Sequence, residues 1–113
     1  MDLTAIRDFC LSLPFTTEVI KWDDDLCFLI AGKLYCVCHA AHPFTCAFKV
    51  PDEDYEALST SEDIIPAPYM ARIKWVQVRN EHRFSPAEWQ HLLQQSYALV
   101  KAKLPKKVRE GLV

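Results

Sequence analysis

An α+β two-layer sandwich, an antiparallel sheet with helices packed on one face, is the fold that this sequence predicts. Three observations carry it. Two β-rich runs flank a single glycine, a capped amphipathic helix closes the chain, and the elements follow the order αβββαββα with five strands.

Each element has a local reason. Leu3, Ile6, Cys10 and Leu13 recur on one helical face and Pro14 ends the pattern, which predicts a helix over 3–13. Residues 15–25 are polar around Val19, Ile20 and Trp22 and read as a loop holding a short strand at most. Leu26–Ala31 and Leu34–His39 flank Gly32-Lys33, the pattern of a hairpin with a two-residue turn and Gly32 at positive φ. Phe44–Val50 adds a third strand after Pro43. Pro51 leads into Asp52, Glu53 and Asp54, whose charges suit a helix first turn, so 52–59 reads as a short helix. Pro66 and Pro68 lack amide donors and confine 64–70 to an edge or irregular strand, while Ile73–Arg79 alternates as a strand does. Ser85, Pro86 and Glu88 have the spacing of a capping box. Trp89, Leu92, Leu93, Ser96, Tyr97, Val100 and Leu104 then recur at helical steps until Pro105.

The hairpin register divides the sheet into two faces. Pairing Ala31 with Leu34, Leu29 with Cys36 and Cys27 with Cys38 puts Phe28, Ile30, Tyr35 and Val37 on one side. These are large enough to pack under the helices and are the expected core. Cys27, Leu29, Cys36 and Cys38 take the other side, which is expected to be semi-exposed; a second chain covering it would make a homodimer through the sheet.

Composition bounds the function. The 113 residues form one domain, 1–113, half hydrophobic and a quarter charged. Two glycines, Gly32 and Gly111, are too few and too badly placed for a phosphate-cradling loop or a dinucleotide fingerprint. No nucleophile elbow, zincin or EF-hand spacing occurs, and no cofactor is implied. The N-terminus lacks a basic stretch and an apolar core, so it does not read as a signal peptide, and the longest apolar run, 26–31, is far too short to span a membrane. With an odd count of five cysteines, these features point to reduced thiols and a cytoplasmic protein.

The net charge of −2 conceals an asymmetry. Residues 1–100 carry 8 basic and 14 acidic side chains, whereas 101–113 carry Lys101, Lys103, Lys106, Lys107 and Arg109 against Glu110 alone. A second basic stretch holds Arg72, Lys74, Arg79 and Arg83 against Glu81. Local basic faces on an acidic body permit polyanion binding, although cations after a helix also oppose its dipole and solubilise its end.

Other chemistry is weaker. Cys36, Cys38, His39 and His42 have the composition of a metal site. Thiols two apart on a strand nevertheless start roughly 6–7 Å from each other. Tetrahedral zinc needs sulfurs about 3.8 Å apart, so buried strand cysteines are the reading and no metal ligand is assigned. Asp23-Asp24-Asp25 and Asp52, Glu53, Asp54 and Glu56 read as a solvated loop and a helix first turn. His39, His42, His82 and His91 have no neighbouring acid or nucleophile in sequence that would make them catalytic.

Several segments in a fixed order resemble the MmcQ/YjbR family. They are Leu13-Pro14, the hairpin Ala31-Gly32-Lys33-Leu34-Tyr35, Phe48-Lys49 before an acidic helix, Pro66-Ala67-Pro68-Tyr69-Met70, Lys74-Trp75-Val76, and the ending from Gln95 through Ser96-Tyr97 to Leu104-Pro105-Lys106-Lys107. The resemblance covers nearly the whole chain. It implies a CyaY-like, secretion-chaperone-like αβββαββα sandwich that contacts double-stranded DNA through two β-hairpin wings. It puts Lys33 at the first hairpin tip, Arg79 and Arg83 beside the second loop, and the Lys101–Arg109 set in contact with the duplex. With Arg72 and Lys74, these are the expected phosphate contacts of a small non-catalytic DNA-binding module. The alternative is a protein-interaction or homodimerising module that uses the exposed sheet face without nucleic acid.

Overall fold

Ile6 and Cys10, one helical turn apart, are completely buried and fix helix α1 (Leu3–Ser12) against the sheet, with the Asp2 carboxylate accepting from the Ala5 amide as its cap. The computed structural model describes residues 1–21, 24–41 and 43–112; Trp22, Asp23 of the acidic run, His42 and Val113 lie outside the described residues. The remaining elements are β1 (Thr16–Lys21), β2 (Asp25–Ile30), β3 (Lys33–His39), β4 (Thr45–Lys49), α2 (Asp52–Ser59), β5 (Ile64–Pro66), β6 (Trp75–Val78), α3 (Pro86–Ala102) and α4 (Lys106–Glu110). The sheet order is β1-β2-β3-β4-β6-β5, and every pairing is antiparallel.

The expected sandwich is present with six strands instead of five. The polar segment after Phe15 pairs with β2 along its whole length, from Thr16 opposite Ile30 to Lys21 opposite Asp25. Its residues are mostly exposed because it is an edge strand, and that exposure removes the alternation that marks a strand in sequence. Two further boundaries move. Ile73 belongs to a 3-10 turn over Ala71–Ile73 that Lys74 ends in the left-handed conformation, φ 63°, so Lys74 is not the solvent-facing residue of a strand. After Pro105 the chain forms the short helix α4 rather than an open tail.

The faces of β3 are inverted relative to the expected register. The hairpin turns at Ala31-Gly32, with φ 49° and 77°, the paired positive values of a type I′ turn, so Ile30 faces Lys33 and Leu29 faces Leu34. That shift of two residues preserves the expected faces. A β-bulge follows, because the next pair is Phe28 with Cys36 and Tyr35 is the extra residue. One extra residue reverses every side chain beyond it. Cys36 and Cys38 therefore turn under the helices beside Phe28, Cys46, Phe48, Val76 and Val78, and Val37 turns outward. Cys36 and Cys38 are thus covered by this chain's own helices, whereas Cys27, opposite Val37, keeps to the other face and is buried there.

Tyr35 stays in the core and is fully buried, with its hydroxyl donating to the Cys10 carbonyl at 3.2 Å and bonded to Thr16 Oγ1 at 2.8 Å. Helix α3 lies across the middle strands. Its capping box is formed, and Trp89 is sealed edge-on by Phe44, Phe48 and Phe84 while its indole donates to the Glu81 carbonyl. Among the described residues no helix is long and apolar enough to cross a membrane.

Ser96 joins α3 to the bulge. Its buried hydroxyl donates to the Tyr35 carbonyl at 2.7 Å and accepts from the Lys49 amide at 2.9 Å, where the β3–β4 ladder stops at Cys36–Phe48. Removing it strands a donor and an acceptor away from water. Ser96→Ala is expected to destabilise the fold by about 2–4 kcal/mol. The check is the urea midpoint at unchanged m-value, with exposed Gln94→Ala on the same helix as a near-neutral control.

Candidate functional site

The Ser96 bridge leaves the ends of β3, β4, β6 and α3 side by side, and a cleft of about 400 Å³ opens between them. Leu34, Met70, Trp75, Val100 and Leu104 make its apolar wall, and Lys33, Lys49 and Lys103 supply its charge. Three elements deliver the three lysines. Lys33 follows the hairpin turn, Lys49 ends β4 opposite Trp75, and Lys103 is the C-terminal cap residue of α3.

Lys49 differs from the other two. It is 8% exposed, and its ammonium donates to the Ile73 carbonyl. Burial holds its pKa below the ordinary lysine range; the charge of Lys103 pushes the same way, Asp52 pulls against it, and Lys74 adds a smaller push downward. An apolar-walled cleft with converging ammonium groups suits a phosphate or another hard anion, since each added anionic oxygen offsets repulsion already present. The backbone around the cleft is strained. Ala31, Tyr69 and Lys74 hold φ values of 49°, 65° and 63° in the segments that build its rim, a conformation costing roughly 1–2 kcal/mol per non-glycine residue.

The sequence model of the family described as YjbR matches residues 11–99. The chain belongs to the YjbR family. The match contains the bulged hairpin, Lys49 and most of α3, so the residues that line the cleft, except Val100, Lys103 and Leu104, are family territory. Among solved structures, this YjbR chain is similar to Deinococcus radiodurans protein DR2400, described as carrying a DUF419 domain. The TM-score is 0.83 at 27% identity, covering 95% of this chain and 84% of that one. It is also similar in fold to a Pseudomonas syringae protein, with a TM-score of 0.74 at 19% identity, covering 88% of this chain and 99% of that one. No protein of curated function matches the sequence.

Within this YjbR fold the expected contact residues separate into groups. Lys33 and Lys103 meet in the cleft. Lys74 stands at its edge, close enough to act on Lys49, with its ammonium 4.8 Å from the centre of the Tyr55 ring. Arg72 is exposed on the 3-10 turn. Lys101 lies over the Tyr97 ring at 5.9 Å, and Lys106, Lys107 and Arg109 are exposed on α4, where Lys106 approaches Glu110 at 4.0 Å. Arg79 and Arg83 follow the other end of β6, about four residues or ~13 Å along the strand from Trp75. Arg83 is engaged structurally, donating to the Glu62 carbonyl at 3.0 Å and lying 4.9 Å from the Phe84 ring centre. Lys49 is the member that charge counting missed, because a lysine inside a strand looks like an outward-facing residue.

The acid clusters do not line the cleft, although Asp52 lies near enough to act on Lys49. Asp25 pairs with His39 at 3.0 Å, and Asp52, Glu53 and Asp54 occupy the first turn of α2. Among the described residues the group placed to hold a metal ion is a different one, Cys36, Cys38 and Cys46. Their sulfurs lie 3.2–3.8 Å apart, not at the wider spacing expected of neighbouring strand positions.

Because burial and like charge disfavour the Lys49 ammonium, the unfolded chain binds more protons than the folded one between the depressed pKa and the ordinary one. Stability therefore rises with pH across that window. In a carbon-detected NMR titration, Lys49 is expected to be the first lysine to lose its proton, with its midpoint moving up when phosphate or polyphosphate is added. A midpoint within the range of the exposed lysines, unmoved by either anion, would contradict the cleft's electrostatics.

Proposed function

We propose that this protein is a small non-catalytic DNA-binding module that holds backbone phosphate through Lys33, Lys49 and Lys103. The observation that carries the reading is the convergence of three lysines from three elements on one apolar-walled cleft, in a chain whose net charge is −2. Lys33 sits beside a tight hairpin turn that can approach a duplex groove, and Lys74, Arg72 and the α4 cations extend the charge around the cleft. The resemblance to a family of double-wing DNA-binding proteins supports the same direction. Arg79 and Arg83 form at most a secondary contact, since they stand beyond the other end of β6.

Such binding is mostly counterion release, hence steep in salt and tolerant of sequence. Three neutralised phosphates imply an affinity loss of roughly 40-fold between 50 and 200 mM salt. The test is fluorescence anisotropy of a labelled duplex across that range. Lys33→Gln with Lys103→Gln is expected to remove most of the binding and flatten the slope, and Lys106→Gln with Lys107→Gln to weaken it less. No binding at low salt, or full binding by the Lys33/Lys103 variant, would overturn the proposal.

The second reading, a protein-interaction or homodimerising module, moves to the outer sheet face. There Leu34, Val37, Ala47 and Met70 line an opening of about 500 Å³ beside a fully exposed Tyr69. Self-association that persists in the lysine variants and fails in Tyr69→Ser would favour it.

A further inference from the structure

Single buried cysteines are ordinary small hydrophobes, but here the bulge gathers several of them at one point. Cys36 and Cys38 come from β3 and Cys46 from β4, all completely buried. Their sulfurs are 3.8 Å (Cys36–Cys38), 3.7 Å (Cys36–Cys46) and 3.2 Å (Cys38–Cys46) apart. From α1, the Cys10 thiol comes close enough to Cys36 and Cys46 to act on both, but it lies outside the group whose sulfurs are all within 4.8 Å of one another. The cysteines are free thiols.

We propose that Cys36, Cys38 and Cys46 form a buried thiolate site for a soft d10 cation, Zn(II) or Cu(I), with the Cys10 thiol of α1 close by. The triangle of sulfurs has the size such an ion requires. An ion equidistant from all three lies ~2.1 Å from each in their plane, and at a zinc–sulfur distance of ~2.3 Å it stands about 1 Å out of that plane, the pyramidal position that a fourth ligand completes. A set made only of sulfur excludes Mg²⁺ and Ca²⁺, which take oxygen ligands, and selects thiophilic ions.

Loading breaks the S–H bonds of the thiols that ligate, forms one metal–sulfur bond for each, and releases those protons to solvent, with no change of oxidation state. Complete burial means that the ion enters while the chain folds and leaves only when the core opens. This proposal is independent of the basic cleft.

The first test is the metal content of the whole protein purified under reducing conditions without chelator. About one zinc or copper per chain is expected to survive gel filtration. The second needs no variant. Protein unfolded with chelator is refolded under reductant either metal-free or with one equivalent of Zn(II) or Cu(I). The matching ion is expected to raise the thermal midpoint by roughly 10 °C or more and to release protons on binding. Cys38→Ala with Cys46→Ala is expected to abolish uptake. Cys10→Ala separates the ions, weakening a four-coordinate Zn(II) complex at least about tenfold and leaving a three-coordinate Cu(I) complex unchanged. Less than about a tenth of an equivalent of either ion after refolding, with an unchanged midpoint, would overturn the proposal. So would full metal retention in the Cys38/Cys46 variant.

Discussion

Tyr35 occupies one more position in β3 than the facing strand offers, and its carbonyl is met by a serine from the helix above instead of by β4. Three consequences follow from that insertion. The parity of β3 reverses, which turns Cys36 and Cys38 under α3 and Val37 to the outer face. The Tyr35 ring reaches α1 and α3 together, bonding to the Cys10 carbonyl and meeting Tyr97 edge-on at 5.3 Å. And Ser96, by accepting from the Lys49 amide as well, fixes the end of β4 against the end of α3. The bulge is thus a positioning device for both the thiol cluster and the basic cleft, consistent with the tendency of bulges to re-aim side chains near functional sites.

The cleft is the electrostatic counterpart of that arrangement. Its apolar walls lower the local dielectric and make the repulsion that Lys103 and Lys74 exert on Lys49 more costly than it would be on an open surface. The surrounding chain is acidic, so the protein is not a general polycation; it concentrates charge where the hairpin, the 3-10 turn and the end of α3 meet. Left-handed Ala31, Tyr69 and Lys74 mark the same segments, and strain there is tolerated because packing on both sides holds it.

What the sequence made legible depended on whether a local rule was enough. The capping box at Ser85, the acidic first turn of α2, the stop at Pro14 and the positive φ of Gly32 are all consequences of nearest neighbours, and each stands in the structure. The order of elements and the family resemblance followed from them. The edge strand Thr16–Lys21 was hidden because an edge buries too little to impose alternation. The bulge was hidden more deeply. Nothing in Leu34-Tyr35-Cys36 signals an extra residue, and only the helix that supplies Ser96 makes it favourable. From that one omission came the misplacement of Cys36, Val37 and Cys38; the short sulfur spacing has a separate origin, in thiols of β3 and β4 leaning together inside the core.

Counting reactive thiols in the native, reduced, metal-free protein tests the bulged register most directly. All five cysteines are buried, Cys27 at 1% exposure and the others at 0%. A small aromatic disulfide reagent is expected to modify none of them during the time in which it titrates all five in denaturant. Rapid reaction of two or three thiols in the native state would put Cys36 and Cys38 on an open face, the arrangement of an unbulged hairpin, and would contradict the account.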